Sequence, residues 1–410
     1  MGKRFFLLTA LVVVLLGHSV LYAGGIENKS NLSAEWIRTL NRNGATDSAD
    51  CAAYNPAGAV KMGEGLYVNI AGQYAFKTYS NAYRGVTYED EEPNIIPSVF
   101  GLYRKGPWGV FGAFTIPSGG GRAEYGQGSV STLRLAQFTM ARSGGVFDRV
   151  TEHYIEGNSC HYGFTLGGAY AMNDLVSLSI ALRYVDARRE RKGFATLAGP
   201  FLNRRFHVDY EETGDGLGGI VGLNISPSES LNIGMRFETE TNLDLKTTVH
   251  RDDLGVLREG ERVRRDLPGV IGVGVSYQFT PALRAEADWT SYLNAHATWD
   301  DLALSAGDET QKKNGYELGI MAEYAFSPRV RASAGYLFSK TGIDPDDMSI
   351  EQPELDAHTL AAGLACEARP GLILNLGAMR SFYDAETTSG GVKLEKDVWI
   401  LAIGLQYKFF

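Results

Sequence analysis

The stretch GLYVNIAGQYAFK, Gly65 to Lys77, decides the architecture. Leu66, Val68, Ile70, Gly72, Tyr74 and Phe76 fall on one face, and Tyr67, Asn69, Ala71, Gln73, Ala75 and Lys77 on the other. A period of two is the signature of a two-faced strand. The pattern returns at Val176 to Tyr184, Leu231 to Glu238 and Tyr316 to Phe326, where one face is apolar and the other carries Arg183, Arg236, Glu238, Glu317 and Glu323. A soluble sandwich averages about five to six residues per strand, whereas a tilted membrane strand needs about ten, as many here have. The polar face also includes Arg284, Glu286, Asp288 and Arg331, more charge than one soluble core accommodates. The apolar face therefore points outward and the charged face lines a lumen.

The spacing of breakers supplies the topology. Short turns are expected at Lys105, Asn173, Ser226, Thr280, Ser327 and Arg369. Between them lie long polar loops, at about 80–95, 117–160, 189–214, 242–268, 294–313, 341–356 and 385–396. Six short turns alternating with seven long loops imply fourteen strands. The expected fold is all-β: a 14-stranded antiparallel transmembrane β-barrel, residues 66–410, of the outer-membrane kind.

Two segments precede it. Lys3 and Arg4, the apolar run Phe5 to Leu16 and LYA ending at Ala23 read as a secretory signal peptide over residues 1–23. Residues 24–65 have no strand pattern; NLSAEWIRTLNRNGA reads as a short helix capped by Asn31 or Ser33 and ending near Gly44. The stretch DSADCAAYNPAGAVKMGEG, Asp47 to Gly65, is small, polar and turn-forming. Pro56 fixes φ, Asn55 can bond its own backbone, and Ala57 and Gly58 keep the chain thin. Such a segment suits a plug that folds into the barrel mouth.

Here the residues resemble a family. AAYNPAGAV is similar to the Asn-Pro-Ala signature of the FadL-type outer-membrane transporters of long-chain fatty acids and other hydrophobic compounds. The resemblance extends to DLPGVIGVGVSYQFTPALRAEADWTSY, Asp266 to Tyr292, to DAHTLAAGLACEARPGLILNLG, and to the last strand. It implies that residues 24–65 form a hatch held by Asn55, Pro56, Ala57 and Gly58, that ligands are captured between the outer loops 189–214 and 242–268, and that the third strand kinks inward to open the wall.

Two features carry those roles. The 189–214 loop holds Phe194, Leu197, Phe201 and Leu202 beside Arg204 and Arg205. An exposed apolar patch with a basic rim suits an amphiphile with an acidic head. In FGAFTIPSGGGRAEYG the third strand meets Pro117 and then Gly119, Gly120 and Gly121. Proline cannot donate to the ladder and glycine permits a bulge, so pairing with a neighbour is expected to lapse there.

The net charge of −9 argues against a nucleic-acid partner. Cys51, Cys160 and Cys366 form no disulfide framework, and Cys160-His161 near His153 fits no metal spacing. No nucleophile motif or phosphate loop appears, so neither enzyme chemistry nor a cofactor is expected. The expected partners are a hydrophobic small molecule, outer-membrane lipids and, through the C-terminal strand VWILAIGLQYKFF, the barrel assembly machinery; a monomer is expected. The expected function is passive uptake of fatty acids, with uptake of aromatic hydrocarbons or a structural, adhesive barrel as alternatives.

Overall fold

A computed structural model describes residues 30–300 and 312–410; residues 1–23, read as a signal peptide, lie outside them. Fourteen antiparallel strands form one closed barrel: β1 (Gly65–Tyr83), β2 (Asn94–Lys105), β3 (Trp108–Tyr125), β4 (Arg149–Ala171), β5 (Val176–Ala198), β6 (Asn203–Ser228), β7 (Leu231–Glu238), β8 (Val270–Gln278), β9 (Leu283–Tyr292), β10 (Gly315–Ser327), β11 (Val330–Lys340), β12 (Ala357–Arg369), β13 (Leu372–Tyr383) and β14 (Lys393–Lys408). The barrel closes where β14 pairs with β1, from Tyr67↔Lys408 to Ala82↔Lys393. All six expected short turns join consecutive strands.

The long-loop side is more ordered than the expectation. Residues 189–214 are not a loop: β5 and β6 run on as one hairpin, paired up to Ala198↔Asn203. Asp244–Asp252 pairs along the outer half of β6 and carries Arg262–Arg264 on its other side. The 117–160 region contains the ends of β3 and β4 and a helix, Val130–Arg142. That helix opens with a capping box in which Ser129 and Thr132 bond each other's backbone N–H.

The barrel is inside-out relative to a soluble core. Ile70, Tyr74, Phe76, Leu182, Ile320, Leu401 and Ile403 are exposed, while Asn69, Gln73, Arg183, Glu286 and Glu323 are buried. An outward apolar face and an inward polar one are what a bilayer requires.

The lumen is filled by residues 30–62. Helix Ala34–Thr39 is capped by Ser33, whose Oγ accepts the Trp36 N–H. It ends at Leu40 in a left-handed conformation, earlier than the expected Gly44. The wall explains the early stop. Arg42 and Asn43 donate their N–H groups to Asp288 Oδ2 at 2.7 and 2.8 Å, and Gly44 donates to Glu286 Oε1 at 2.9 Å. Two β9 carboxylates thus replace the helix as acceptors. Helix Cys51–Tyr54 and the 3₁₀ turn Pro56–Lys61 follow. Asn55 donates to Ala45 O (3.1 Å) and Asn224 Oδ1 (2.8 Å), and its Oδ1 accepts the Gly58 N–H (3.2 Å). Ser177 Oγ donates to Ala57 O at 2.7 Å, and Pro56 packs over Gly222.

Wall glycines make the close approach possible. A Cβ on Gly274 would stand 2.3 Å from Gly44 N, one on Gly335 2.2 Å from Thr39 O, one on Gly319 2.5 Å from Asn41 Oδ1 and one on Gly234 2.0 Å from Asn43 O. Contacts under 3.0 Å to backbone force a shift. Gly274→Val is therefore expected to assemble but to dislodge the plug, raising small-solute conductance in planar bilayers several-fold. Gly101→Val, which meets nothing within 4 Å, is expected to conduct as the parent does. Equal conductance of the two variants would show that these contacts do not seat the plug.

Candidate functional site

The plug divides the lumen into two unlike spaces. On the short-turn side lies a polar vestibule of about 900 Å³, lined by Asp47, Lys61, Arg284, Glu323 and Arg331 among others. Its floor is an ion network. Arg42 holds Asp50 (2.5 Å) and Asp47 (2.7 Å), Arg38 pairs with Glu323, and Arg331 reaches both Asp47 (3.3 Å) and Glu323 (3.4 Å). An apolar solute gains nothing by crossing it.

On the long-loop side a cavity of about 170 Å³ is lined by Trp36, Tyr79, Ile96, Leu337, Met379, Tyr383, Val398 and Ile400. Two ammonium groups and the Glu317 carboxyl also line it, and Lys77 is paired with Asp90 at 2.7 Å. Lys396 Nζ stands 5.1 Å from the Tyr79 ring and 4.8 Å from the Tyr383 ring, and makes no ion pair among the described residues. Cation–π contact on two rings holds the charge in place and leaves it open to an anion. Sequence reading missed Lys396 because it lies at the edge of a polar loop, where lysine is ordinary.

The same cavity reaches the wall at Asn94, Ile96, Gly119 and Gly120. The β2–β3 ladder ends at Val99↔Phe114. Beyond it, residues 94–98 pair only with β1, and β3 pairs only with β4, through two register shifts at Thr115/Ser118 and Ser118/Gly121. Residues 115–119 are buried in succession, so β3 leaves the wall and passes inward. Pro117 lines the central lumen beside Trp36 and Arg183. Gly119 and Gly121 have φ of +95° and +73°, and a Cβ there would strike Ser159 O and Asn94. The outer end of the unpaired stretch is clamped by Asn94, which donates to Gly120 O (2.8 Å) and accepts the Arg122 N–H (3.0 Å).

The residues expected to bind ligand outside do not form one groove. Phe194 and Leu197 line a narrow apolar cleft with Leu135, Ala136, Phe206 and Leu254. Leu197 is fully buried against Ala136 and Phe147. Helix Val130–Arg142, not foreseen, is one wall, and Leu254 of the 242–268 loop contributes to another. Phe201 stands fully exposed at the hairpin tip and Leu202 is half exposed. Arg205 pairs with Glu152 and covers the Phe194 ring at 4.2 Å, while Arg204 covers Phe206 at 4.7 Å.

One plug carboxyl is poised to titrate. Glu35 Oε1 accepts from Asn69 (2.6 Å), Asn375 (2.8 Å) and Ser48 (3.0 Å), with Gln406, Asp50 and Arg42 nearby. Burial, and then the Asp50 charge, push it up to about 7. A raised carboxyl binds its proton more tightly docked than released. Charged Glu35 thus weakens docking above pH 7, and the weakening fades as pH falls through 7 toward the ordinary value of 4.5. Leak conductance is expected to be a few-fold higher at pH 8.5 than at pH 5.5, and Glu35→Gln to flatten that dependence. A parent barrel with pH-independent leak would refute it.

No protein-family model and no curated protein matches the chain. Solved structures do. A Pseudomonas aeruginosa FadL homologue superposes with TM-score 0.65 at 13% identity, over 96% of this chain and 100% of that one. The Pseudomonas putida toluene transporter TodX gives 0.69 at 11%, over 94% and 99%. The Ralstonia pickettii toluene transporter TbuX gives 0.63 at 15%, over 88% and 94%. With the plug, the fourteen strands and the broken β2–β3 ladder, this chain has the fold of the FadL-type outer-membrane transporters.

Proposed function

We propose that this protein is an outer-membrane channel for passive uptake of hydrophobic molecules, long-chain fatty acids first. The observation that carries the reading is the apolar cavity above the plug, which runs from the Lys396 ammonium to the unpaired stretch of β2 and β3. In this reading the cleft at Phe194 and Leu197 captures the molecule, residues 24–65 are the hatch that bars the vestibule, and Pro117 with Gly119 to Gly121 shape a sideways exit. A hydrophobic solute leaving there enters lipid directly and avoids the charged floor. The last strand addresses the barrel to its assembly machinery, and the barrel works as a monomer among outer-membrane lipids.

Aromatic hydrocarbons are the second reading, favoured by the Trp36, Tyr79 and Tyr383 rings around the cavity. Lys396 separates the two. A charge-assisted contact contributes about 1.5–3 kcal/mol, and about 1.4 kcal/mol is tenfold. Lys396→Met is expected to lower oleate uptake about tenfold in cells with equal barrel content, and to leave toluene uptake unchanged. Unchanged oleate uptake would remove the fatty-acid reading.

The route has its own test. Gly120 has an ordinary φ, and a side chain there first meets the Gln352 amide. Gly120→Val is expected to fill the inner end of the exit and cut uptake of both solutes, with outer-membrane assembly intact. Normal uptake would place the exit elsewhere.

A further inference from the structure

The chain between β11 and β12, residues 341–356, does not stand away from the barrel. Ser349, Glu351, Gln352, Glu354 and Leu355 are all buried. This strap crosses the mouth to the far wall. The Tyr125 hydroxyl donates to Glu351 O, and Ser129 Oγ donates to Glu351 Oε1, both at 2.6 Å. Tyr125 ends the kinked strand and Ser129 caps the helix after it, so the strap is tied to the element that leaves the wall. Within the strap, Gln352 N–H donates to Ser349 Oγ (3.1 Å) and Ser349 N–H to Glu354 Oε2 (3.3 Å).

Those ties deliver one side chain to one place. A Cβ on Gly120 would lie 2.1 Å from Gln352 Oε1, so the amide rests directly on the kink. It lines the lumen cavity together with Asn94, Ile96, Gly119 and Gly120, at the inner mouth of the unpaired stretch. Gln352 is 2% exposed, and neither Oε1 nor Nε2 has a hydrogen-bond partner among the described residues. Buried amides are nearly always bonded, and a leucine would fill the same space with no polar group to satisfy. A donor and an acceptor have been placed, unspent, where the cavity meets the exit.

We propose that Gln352 contacts the cargo: its amide hydrogen-bonds the polar end of an amphiphile as that end reaches the gap between β2 and β3. Nε2–H donates to a carboxylate or hydroxyl oxygen, and Oε1 accepts from a hydroxyl or a protonated acid. The inference rests on the uptake reading above and narrows it, since a plain hydrocarbon offers this amide nothing. Its role differs from that of Lys396, which recognises charge; Gln352 recognises hydrogen-bonding capacity with or without charge.

Three labelled probes with one tail separate these roles: oleate, oleyl alcohol and 9-octadecene, bound to the full-length protein in lipid nanodiscs. Gln352→Leu is expected to weaken oleate and oleyl alcohol about tenfold each and to leave octadecene unchanged. Lys396→Met is expected to weaken oleate alone. Heat-modifiable gel mobility confirms that each variant is a folded barrel. Parental affinity of Gln352→Leu for oleate and the alcohol overturns the assignment, as does an equal loss for all three probes, which marks a packing role only. A parent that binds octadecene but neither headed probe overturns the fatty-acid reading and the assignment together. A parent that binds all three while Gln352→Leu is unaffected overturns the assignment alone.

Discussion

The structure depends on a mutual need. The barrel's inner wall carries buried carboxylates that the wall arginines Arg284 and Arg331 pair only in part, and the plug carries backbone N–H groups that no helix or sheet claims. Asp288 takes two of those N–H groups and Glu286 a third. Gln406 Oε1 takes the Ala49 N–H at 2.7 Å, and Glu323 receives Arg38. A buried unpaired charge is costly, as is a buried unpaired amide, so each surface makes the other tolerable. The bilayer imposes the remainder: with apolar side chains turned outward, the polar set has no other place to go.

This separation of floor and cavity gives the molecule two chemistries in one tube. Below the plug the walls are ionic and the space is wide. Above it they are mostly aliphatic and aromatic, with a few polar side chains and Lys396 as the ammonium that no carboxylate among the described residues pairs. A solute partitions between them by its own polarity, and the wall breaks on the apolar side only. The two spaces therefore differ in what desolvation costs a guest, with no moving part required for the distinction.

Much of this is readable in the chain because a membrane strand repeats its two-residue rule for its whole length. The strand count, the six short turns and the inward charges follow from alternation and breakers alone. The kink is also local: Pro117 and three glycines leave a ladder little choice. What is hidden depends on distance. Lys396 gains its meaning from Tyr79 and Tyr383 on neighbouring strands. Helix Val130–Arg142 was hidden inside an expected loop, although Ser129-x-x-Thr132 is a local capping signal. The β5–β6 hairpin is hidden because charged residues on a strand beyond the membrane resemble those of a loop. Leu197 is buried against helix residue Ala136, and Phe194 is half-buried beneath Arg205.

The wall glycines at 234, 274, 319 and 335 lie on β7, β8, β10 and β11, three under the plug backbone and Gly319 under the Asn41 side chain. Together they trace a mould of the plug on the inside of the barrel, cut into strands far apart in sequence. A side chain is missing wherever the guest lies, so the wall without its guest is notched. The lumen is thus complementary to one segment of its own chain, and an unrelated segment of equal length would leave the notches unfilled.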